Sequence, residues 1–224
     1  MSEGRGQQRR SATKDSRPTK SYLKFESVIE RSLNLLSLQS PISSIIRTCN
    51  QPPLDLSDLS RAAIVLAIAA MDSYFTDVFA ERLVPFLKSR GRTPALVDLL
   101  SRAGLDTALA LDLLAMQRPY TRIRRLVECS LGRRTTQKAD CIDSLFLAFG
   151  LRDFCHHAQR LKNRRMLLRS VDAAVARRNQ IAHDGDMRGS RLCKIDSAQA
   201  RRRVRDIVAL VSGADEVLQR QLPV

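Results

Sequence analysis

The sequence contains no tryptophan, few other aromatic residues and few β-branched runs. Aromatic residues make up 4% of the 224 residues, whereas Leu, Ala and Arg dominate. Strands favour β-branched and aromatic side chains, and helices favour the three residue types that are abundant here. This composition predicts an all-α protein.

The sequence also lacks paired cysteines and any clear metal-binding pattern. Its five cysteines are odd in number, scattered, and contain no C-x-x-C pair. They are Cys49, Cys129, Cys141, Cys155 and Cys193. The pattern predicts reduced thiols in a cytoplasmic protein rather than a disulfide framework or a zinc site. His156 and His157 point about 100° apart on a helix with no third ligand at metal spacing, so they favour surface or packing roles.

Targeting and catalytic motifs of the familiar kinds are missing as well. The N-terminus has no apolar signal core, and the longest unbroken apolar run, residues 62–71, is far shorter than the roughly 18–20 residues that span a bilayer. We therefore expect a soluble protein without a membrane partner. There is no Gly-rich phosphate loop, G-x-S-x-G turn or H-E-x-x-H motif, and no cofactor or metal is expected.

Positive charge is the strongest feature that is present. The formal net charge is +15, which indicates an anionic partner such as nucleic acid. An anionic membrane surface is the competing interpretation, but the apolar stripes of the helices suit burial in a core. Residues 1–20 are predicted to be a disordered basic arm, which either adds phosphate affinity or is a solvated tail. Arg122, Arg125 and Arg177 are candidate RNA-binding residues, although charge clusters are often only solvated surface.

Hydrophobic periodicity predicts one helical domain over residues 21–224. A first helix should end before Pro41, and the long second helix should be capped by Ser57 or Asp58 and kinked at Pro85. A final helix should be capped by Asp196 or Ser197. The predicted helices cover residues 21–39, 58–89, 94–103, 106–117, 119–130, 136–149, 151–161, 164–183 and 197–219.

The second helix is apolar on all sides over residues 62–71. Such a helix is expected at the centre of a bundle, surrounded by other helices or by a second subunit. Asp72 interrupts the apolar run. Two interpretations remain open: Asp72 is exposed or bonded to an arginine, or it orients a site residue on another helix.

The segment Arg178-Asn179-Gln180-Ile181-Ala182-His183 lies at the predicted end of the eighth helix, just before Asp184-Gly185. Asn179 and His183, at i and i+4, share a helix face. Arg178 and His183 point about 140° apart, so two copies related by a two-fold axis would surround one cleft with two of each. Imidazoles and guanidinium groups placed together could cleave RNA without metal.

The segment 178–183 and the stretch from Arg61 to Asp72 together resemble the HEPN superfamily, whose ribonuclease members carry Arg, a short spacer and His near a helix end. The closer likeness is to the bacterial RiboL-PSP-type proteins. The resemblance implies a HEPN-like helical bundle that acts as a homodimeric, metal-independent endoribonuclease. Arg178, Asn179 and His183 would be its catalytic residues, and Asp72 a supporting residue.

The same resemblance leaves a second function open, because many HEPN domains are non-catalytic modules that bind RNA or a partner protein. The implied settings are toxin–antitoxin, phage-defence and RNA-processing systems, with an antitoxin or a neighbouring defence protein as a possible partner. Nucleotide binding is a third interpretation, but no phosphate loop supports it.

Overall fold

Helices form almost all of the regular structure in a computed structural model that describes residues 18–49, 52, 55–133 and 135–222. The all-α prediction is confirmed for these residues. The helices are α1 Lys20–Thr48, α2 Ser57–Ser89, α3 Pro94–Arg102, α4 Thr107–Ala115, α5 Pro119–Leu131, α6 Ala139–Phe146, α7 Phe154–Leu161, α8 Leu167–Asp184 and α9 Ser197–Gln221. A 3-10 turn, Leu147–Phe149, extends α6, and two short strands, β1 Met187–Arg188 and β2 Arg191–Leu192, form a hairpin.

Helix α2 is the central element, as its composition predicted. It packs against α1, α5, α8 and α9. All seven phenylalanines of the chain are buried, and three of them lie on α2. The rings of Phe75, Phe79, Phe146 and Phe154 form edge and stacked contacts that join α2 to α6 and α7. The few aromatic residues are therefore concentrated where α2 meets the other helices.

Helix α2 is also the one helix in the described residues that is long and apolar enough to cross a membrane by length and composition. Its most apolar window is 56% buried by the rest of the chain. Core helices of soluble proteins pass the same test, because an enclosed helix needs no polar face.

The prediction that Pro41 ends the first helix was wrong, because α1 continues to Thr48 with Pro41 inside it. Proline removes the hydrogen bond to the carbonyl four residues earlier, here that of Ser37. Ser37 and Pro41 are both exposed, so water can hydrate this carbonyl. Two side chains also hold the helix here: Ser43 donates to the Gln39 carbonyl at 2.7 Å, and Gln39 donates to the Leu56 carbonyl at 3.1 Å.

The boundary of the predicted N-terminal arm also needs correction. Residues 1–17 lie outside the described part of the chain, but Thr19 is buried and caps α1 by accepting from the Tyr22 amide. Its hydroxyl donates to Asp215 at 2.8 Å, and the Tyr74 hydroxyl donates to the same carboxylate oxygen at 3.0 Å. Thr19 therefore belongs to the folded domain, since it joins α1 to α2 and α9.

The remaining differences lie at helix ends. Neither Ser57 nor Asp58 caps α2; Asp55 instead accepts from the Ser57 amide at 2.8 Å. Helices α6, α7 and α8 each begin three residues later than predicted, at 139, 154 and 167. The hairpin of β1 and β2 replaces part of a predicted polar loop. Pro52 is the described residue of the predicted loop at 51–53.

The environments of the cysteines lead to a labelling prediction. Cys49, Cys129 and Cys141 are exposed, whereas Cys155 is buried. Burial, and next the nearby carboxylate of Asp143, raise the pKa of the Cys155 thiol, so this thiol stays protonated and unreactive. We expect a thiol reagent at pH 8 to modify the three exposed cysteines rapidly and Cys155 only after denaturation. Mass spectrometry of the labelled peptides measures this, and rapid native labelling of Cys155 would contradict it.

Candidate active site

The last turns of α8 carry the three predicted catalytic residues, and the helix ends where the sequence predicted. It stops at Asp184, and Gly185 follows in the left-handed region at φ +59°. A glycine in this conformation is a common helix terminator because it has no Cβ. Since α8 is regular to this point, Arg178, Asn179 and His183 keep the directions expected of one helix.

A buried carboxylate, Asp186, fixes the chain immediately after α8. It is 0% exposed, and its Oδ2 accepts from Arg61 Nε at 2.7 Å and from Arg177 Nη2 at 2.7 Å. Arg61 also donates to the Cys193 carbonyl at 2.6 Å, and Arg177 donates to Gln180 at 3.1 Å. We call Arg61, Arg177 and Asp186 the arginine–aspartate cluster. It ties α2, the end of α8 and the segment after β2 to one point.

A third arginine, Arg203 of α9, approaches the same cluster. Burial, and next the positive charge of Arg177, lower the pKa of Arg203, while Asp186 acts in the opposite direction. Within the described residues, Arg203 Nη1 and Asp186 Oδ1 are both buried without a hydrogen-bond partner. The cluster therefore brings three guanidinium groups near one carboxylate, and the negative charge of Asp186 is what allows them to lie together.

Arg178 points away from this cluster. It lines a pocket of about 480 Å³ with residues of α2, the end of α5 and Gln137. The α2 residues on this pocket include Val65, Ala69 and Asp72. Its guanidinium group forms no ion pair and no hydrogen bond with any described residue, so its donors are available to an anionic ligand.

Asn179 lines a different pocket, of about 440 Å³, together with Lys138, Asp140 and Asp172. His183 is exposed one turn further along α8. In the described part of the chain, neither side chain makes a hydrogen bond. A single chain therefore presents Arg178 and Asn179 to separate pockets and leaves His183 in solvent.

Asp72 holds a loop. Its carboxylate accepts from the Thr136 amide at 2.6 Å, from the Thr136 hydroxyl at 2.6 Å and from Gln137 Nε2 at 2.8 Å. Both donors are buried. These contacts explain why residues 136–138, predicted as helix, are extended against α2 instead. Asp72 shares a pocket with Arg178, but its hydrogen bonds run to the loop.

Replacing Asp72 should therefore lower stability. We expect Asp72→Ala to reduce the free energy of unfolding by about 2 kcal/mol, because it leaves buried donors of Thr136 and Gln137 unpaired. Urea denaturation followed by circular dichroism measures the change. The matched control is Asp98→Ala, since Asp98 is exposed on α3 and pairs only with the neighbouring Arg102 among the described residues. Equal stabilities for the two variants would contradict this role.

The three candidate RNA-binding arginines lie in two different settings. Arg122 and Arg125 are exposed on α5. Arg177, in contrast, has a side chain that is 13% exposed and is paired with Asp186, a geometry that suits a structural role. Arg134, part of the same predicted basic patch, lies outside the described residues.

Arg61, Asp186 and Arg203 were not among the predicted site residues. The one local signal was an arginine at the start of an otherwise apolar helix, but its partner lies 125 positions away, and sequence periodicity does not report such a distance. Among the described residues, no group of three or more His, Cys, Asp or Glu side chains is placed to hold a metal ion.

Comparison with family models, with curated proteins and with solved structures gave no match for this chain.

Proposed function

We propose that the protein is a metal-independent endoribonuclease whose site forms from the ends of two α8 helices in a homodimer. One observation carries the proposal. The structural polar residues around the end of α8, namely Arg177, Gln180 and Asp186, are bonded to one another or to neighbouring segments. Arg178, Asn179 and His183 alternate with them and make no side-chain hydrogen bond to the described residues. A rigid helix end thus presents an unpaired cation, amide and imidazole.

These groups suit RNA cleavage by the adjacent ribose hydroxyl. One His183 takes the proton from the 2′-hydroxyl as its oxygen bonds to phosphorus. The bond from phosphorus to the 5′-oxygen breaks, and the His183 of the second copy protonates that oxygen. Arg178 stabilises the charge that builds up on the phosphate, and Asn179 positions it. The products are a 2′,3′-cyclic phosphate and a 5′-hydroxyl. A histidine with the usual pKa near 6.5 can both accept and donate the proton at neutral pH.

An uncovered part of α2 supports the dimer. Ala62 and Ala69 are exposed and Val65 is half-buried, although α2 is otherwise the core helix. Val65 and Ala69 border the pocket of Arg178, as does Ala182 of α8. A small apolar strip beside the site allows a second copy to approach closely. In a two-fold interface the same strip would face itself.

Substitution in this strip tests the dimer. We expect Ala69→Glu to halve the mass measured by light scattering and to abolish cleavage, because a two-fold interface would bring the two carboxylates together. Within one chain the change should cost little, since Ala69 is exposed. The control is Ala108→Glu, an exposed alanine on α4. A monomeric wild-type protein that cleaves RNA would contradict the composite site.

Analysis of the cleaved ends tests the reaction itself. Purified protein incubated with RNA in excess chelator should produce 2′,3′-cyclic phosphate and 5′-hydroxyl ends. Ends of the opposite kind, or cleavage that requires added divalent metal, would exclude the proposed chemistry.

A second candidate function is a non-catalytic HEPN module that binds RNA or a partner protein. The observation that favours it is the separation of Arg178 and Asn179 into different pockets of one chain. It predicts RNA binding with a strong salt dependence and no cleavage at any protein concentration.

A further inference from the structure

A second surface, distant from α8, has the chemistry of a binding site for unpaired RNA. It is a groove of about 720 Å³ between the last third of α2 and the first part of α5. Basic, aromatic and polar side chains line it, including Lys88, Arg118, Tyr120, Arg124 and Arg125. We call it the α2–α5 groove.

The positive charge of this groove is only partly neutralised. Its two acidic residues are already bonded: Glu128 accepts from Arg124 at 2.7 Å, and Glu81 accepts from the Ser21 hydroxyl at 2.7 Å. Within the described residues, Lys88, Arg118 and Arg125 form no ion pair. Three cations in one concave surface attract a chain of phosphates and raise its local concentration.

An aromatic ring lies among these cations. Tyr120 is 38% exposed, and the ammonium group of Lys88 lies 5.2 Å from the centre of its ring. It is the one aromatic residue that lines the groove. Proteins that bind single-stranded nucleic acid combine a basic groove with exposed aromatic rings on which bases stack. A paired duplex keeps its bases stacked inside, so this combination favours unpaired RNA.

The groove also connects to the proposed active site. Helix α5 begins at the groove, and its far end, at Leu131 and Gly132, borders the pocket of Arg178. At 1.5 Å per residue, Tyr120 and Leu131 lie about 16 Å apart along the helix axis. Arg118, Arg122 and Arg125 are exposed at spacings of four and three on this helix, which places them along one face.

From these observations we propose that the α2–α5 groove binds an unpaired base of an RNA strand on Tyr120 and that the strand follows α5 towards Arg178. The proposal rests on the proposed function in one respect, namely that the ligand is RNA. It goes further by naming the substrate as unpaired RNA and by placing its binding site away from the cleaved bond.

The test is binding of a short fluorescein-labelled oligoadenylate, measured by anisotropy in the His183→Ala background so that the probe stays intact. Tyr120→Leu should weaken binding about tenfold, as loss of a base-stacking ring does, whereas Tyr120→Phe should bind as its parent does. Both variants should bind the oligoadenylate–oligouridylate duplex like the parent. Equal affinities of the Leu and Phe variants for the single strand would overturn the proposal.

The arginines are tested with the same probe. Arg118→Gln combined with Arg125→Gln should reduce the slope of log Kd against log salt concentration by about 2, one for each lost phosphate contact. The control is Arg31→Gln, an exposed arginine on α1 outside the groove, which should leave the slope unchanged. Equal slopes for the double variant and its parent would overturn the path along α5.

Cleavage assays of the same variants, carried out with His183 intact, separate the two proposals. Binding that depends on Tyr120 in a wild-type protein that never cleaves RNA would leave the groove standing and remove the nuclease. Cleavage by wild type together with binding that ignores Tyr120 would do the reverse.

Discussion

His183→Ala should reduce RNA cleavage by at least about 100-fold, since a positioned acid or base contributes roughly that much or more and a homodimer loses both of its copies. The initial rate of cleavage of a fluorogenic RNA measures the loss. Stability and dimer mass should remain those of wild type, because His183 is exposed and bonded to none of the described residues.

The chain offers a matched control for this substitution. His156 is exposed on α7, and His156→Ala removes the same side chain at a site to which we assign no role. Arg178→Ala should cost about 10²–10³ in rate, as the loss of one charge-stabilising donor does elsewhere. Full activity of His183→Ala would exclude the proposed mechanism, whatever the other variants show.

Asp186→Asn should reduce the free energy of unfolding by about 3–5 kcal/mol, the usual cost of leaving a buried charge without its partner. The side chain of Asp186 is 0% exposed, and those of Arg61 and Arg177 are 6% and 13% exposed. Removing the negative charge leaves these guanidinium groups, with Arg203 nearby, to repel one another inside the protein.

Asparagine is the appropriate replacement because the backbone of Asp186 is in the left-handed region, at φ +61°. Asparagine tolerates this conformation, and alanine does not. The control is Asp184→Asn, two residues earlier, where the carboxylate is exposed. Urea denaturation of the two variants and wild type measures the difference. A loss no larger than that of Asp184→Asn would show that the arginine–aspartate cluster does not hold the end of α8.

The helices with one apolar stripe could be predicted from the sequence because their burial repeats with the helix period. In α1, Phe25, Ile29 and Leu36 are buried as predicted, and in α9, Val204 and Ile207 are buried as predicted. The end of α8 was predictable for a local reason as well, because Gly185 adopts the left-handed conformation that terminates helices.

Other features depend on contacts between residues distant in the chain. Residues 136–138 have a helical composition, but Asp72 of α2 draws the Thr136 amide out of any helix. Pro41 remains inside α1 because exposure and side-chain hydrogen bonds stabilise the helix around it. No local pattern predicts that Arg61 finds Asp186 across 125 positions.

For the candidate site, helix geometry predicted the relative directions of Arg178, Asn179 and His183 and therefore the need for a second copy. It could not predict that Arg178 and Asn179 line separate pockets, because the walls of those pockets come from α2, α5 and the segment before α6.

A heterodimer tests the shared cleft most directly. Two differently tagged chains, one wild type and one carrying His183→Ala, can be co-expressed, purified through both tags and assayed for cleavage beside the two homodimers. If two histidines act on one phosphate, the heterodimer should have far less than half of the wild-type activity and approach that of the His183→Ala homodimer. Half of the wild-type activity would mean that each chain works alone, which contradicts a site built from two α8 helices.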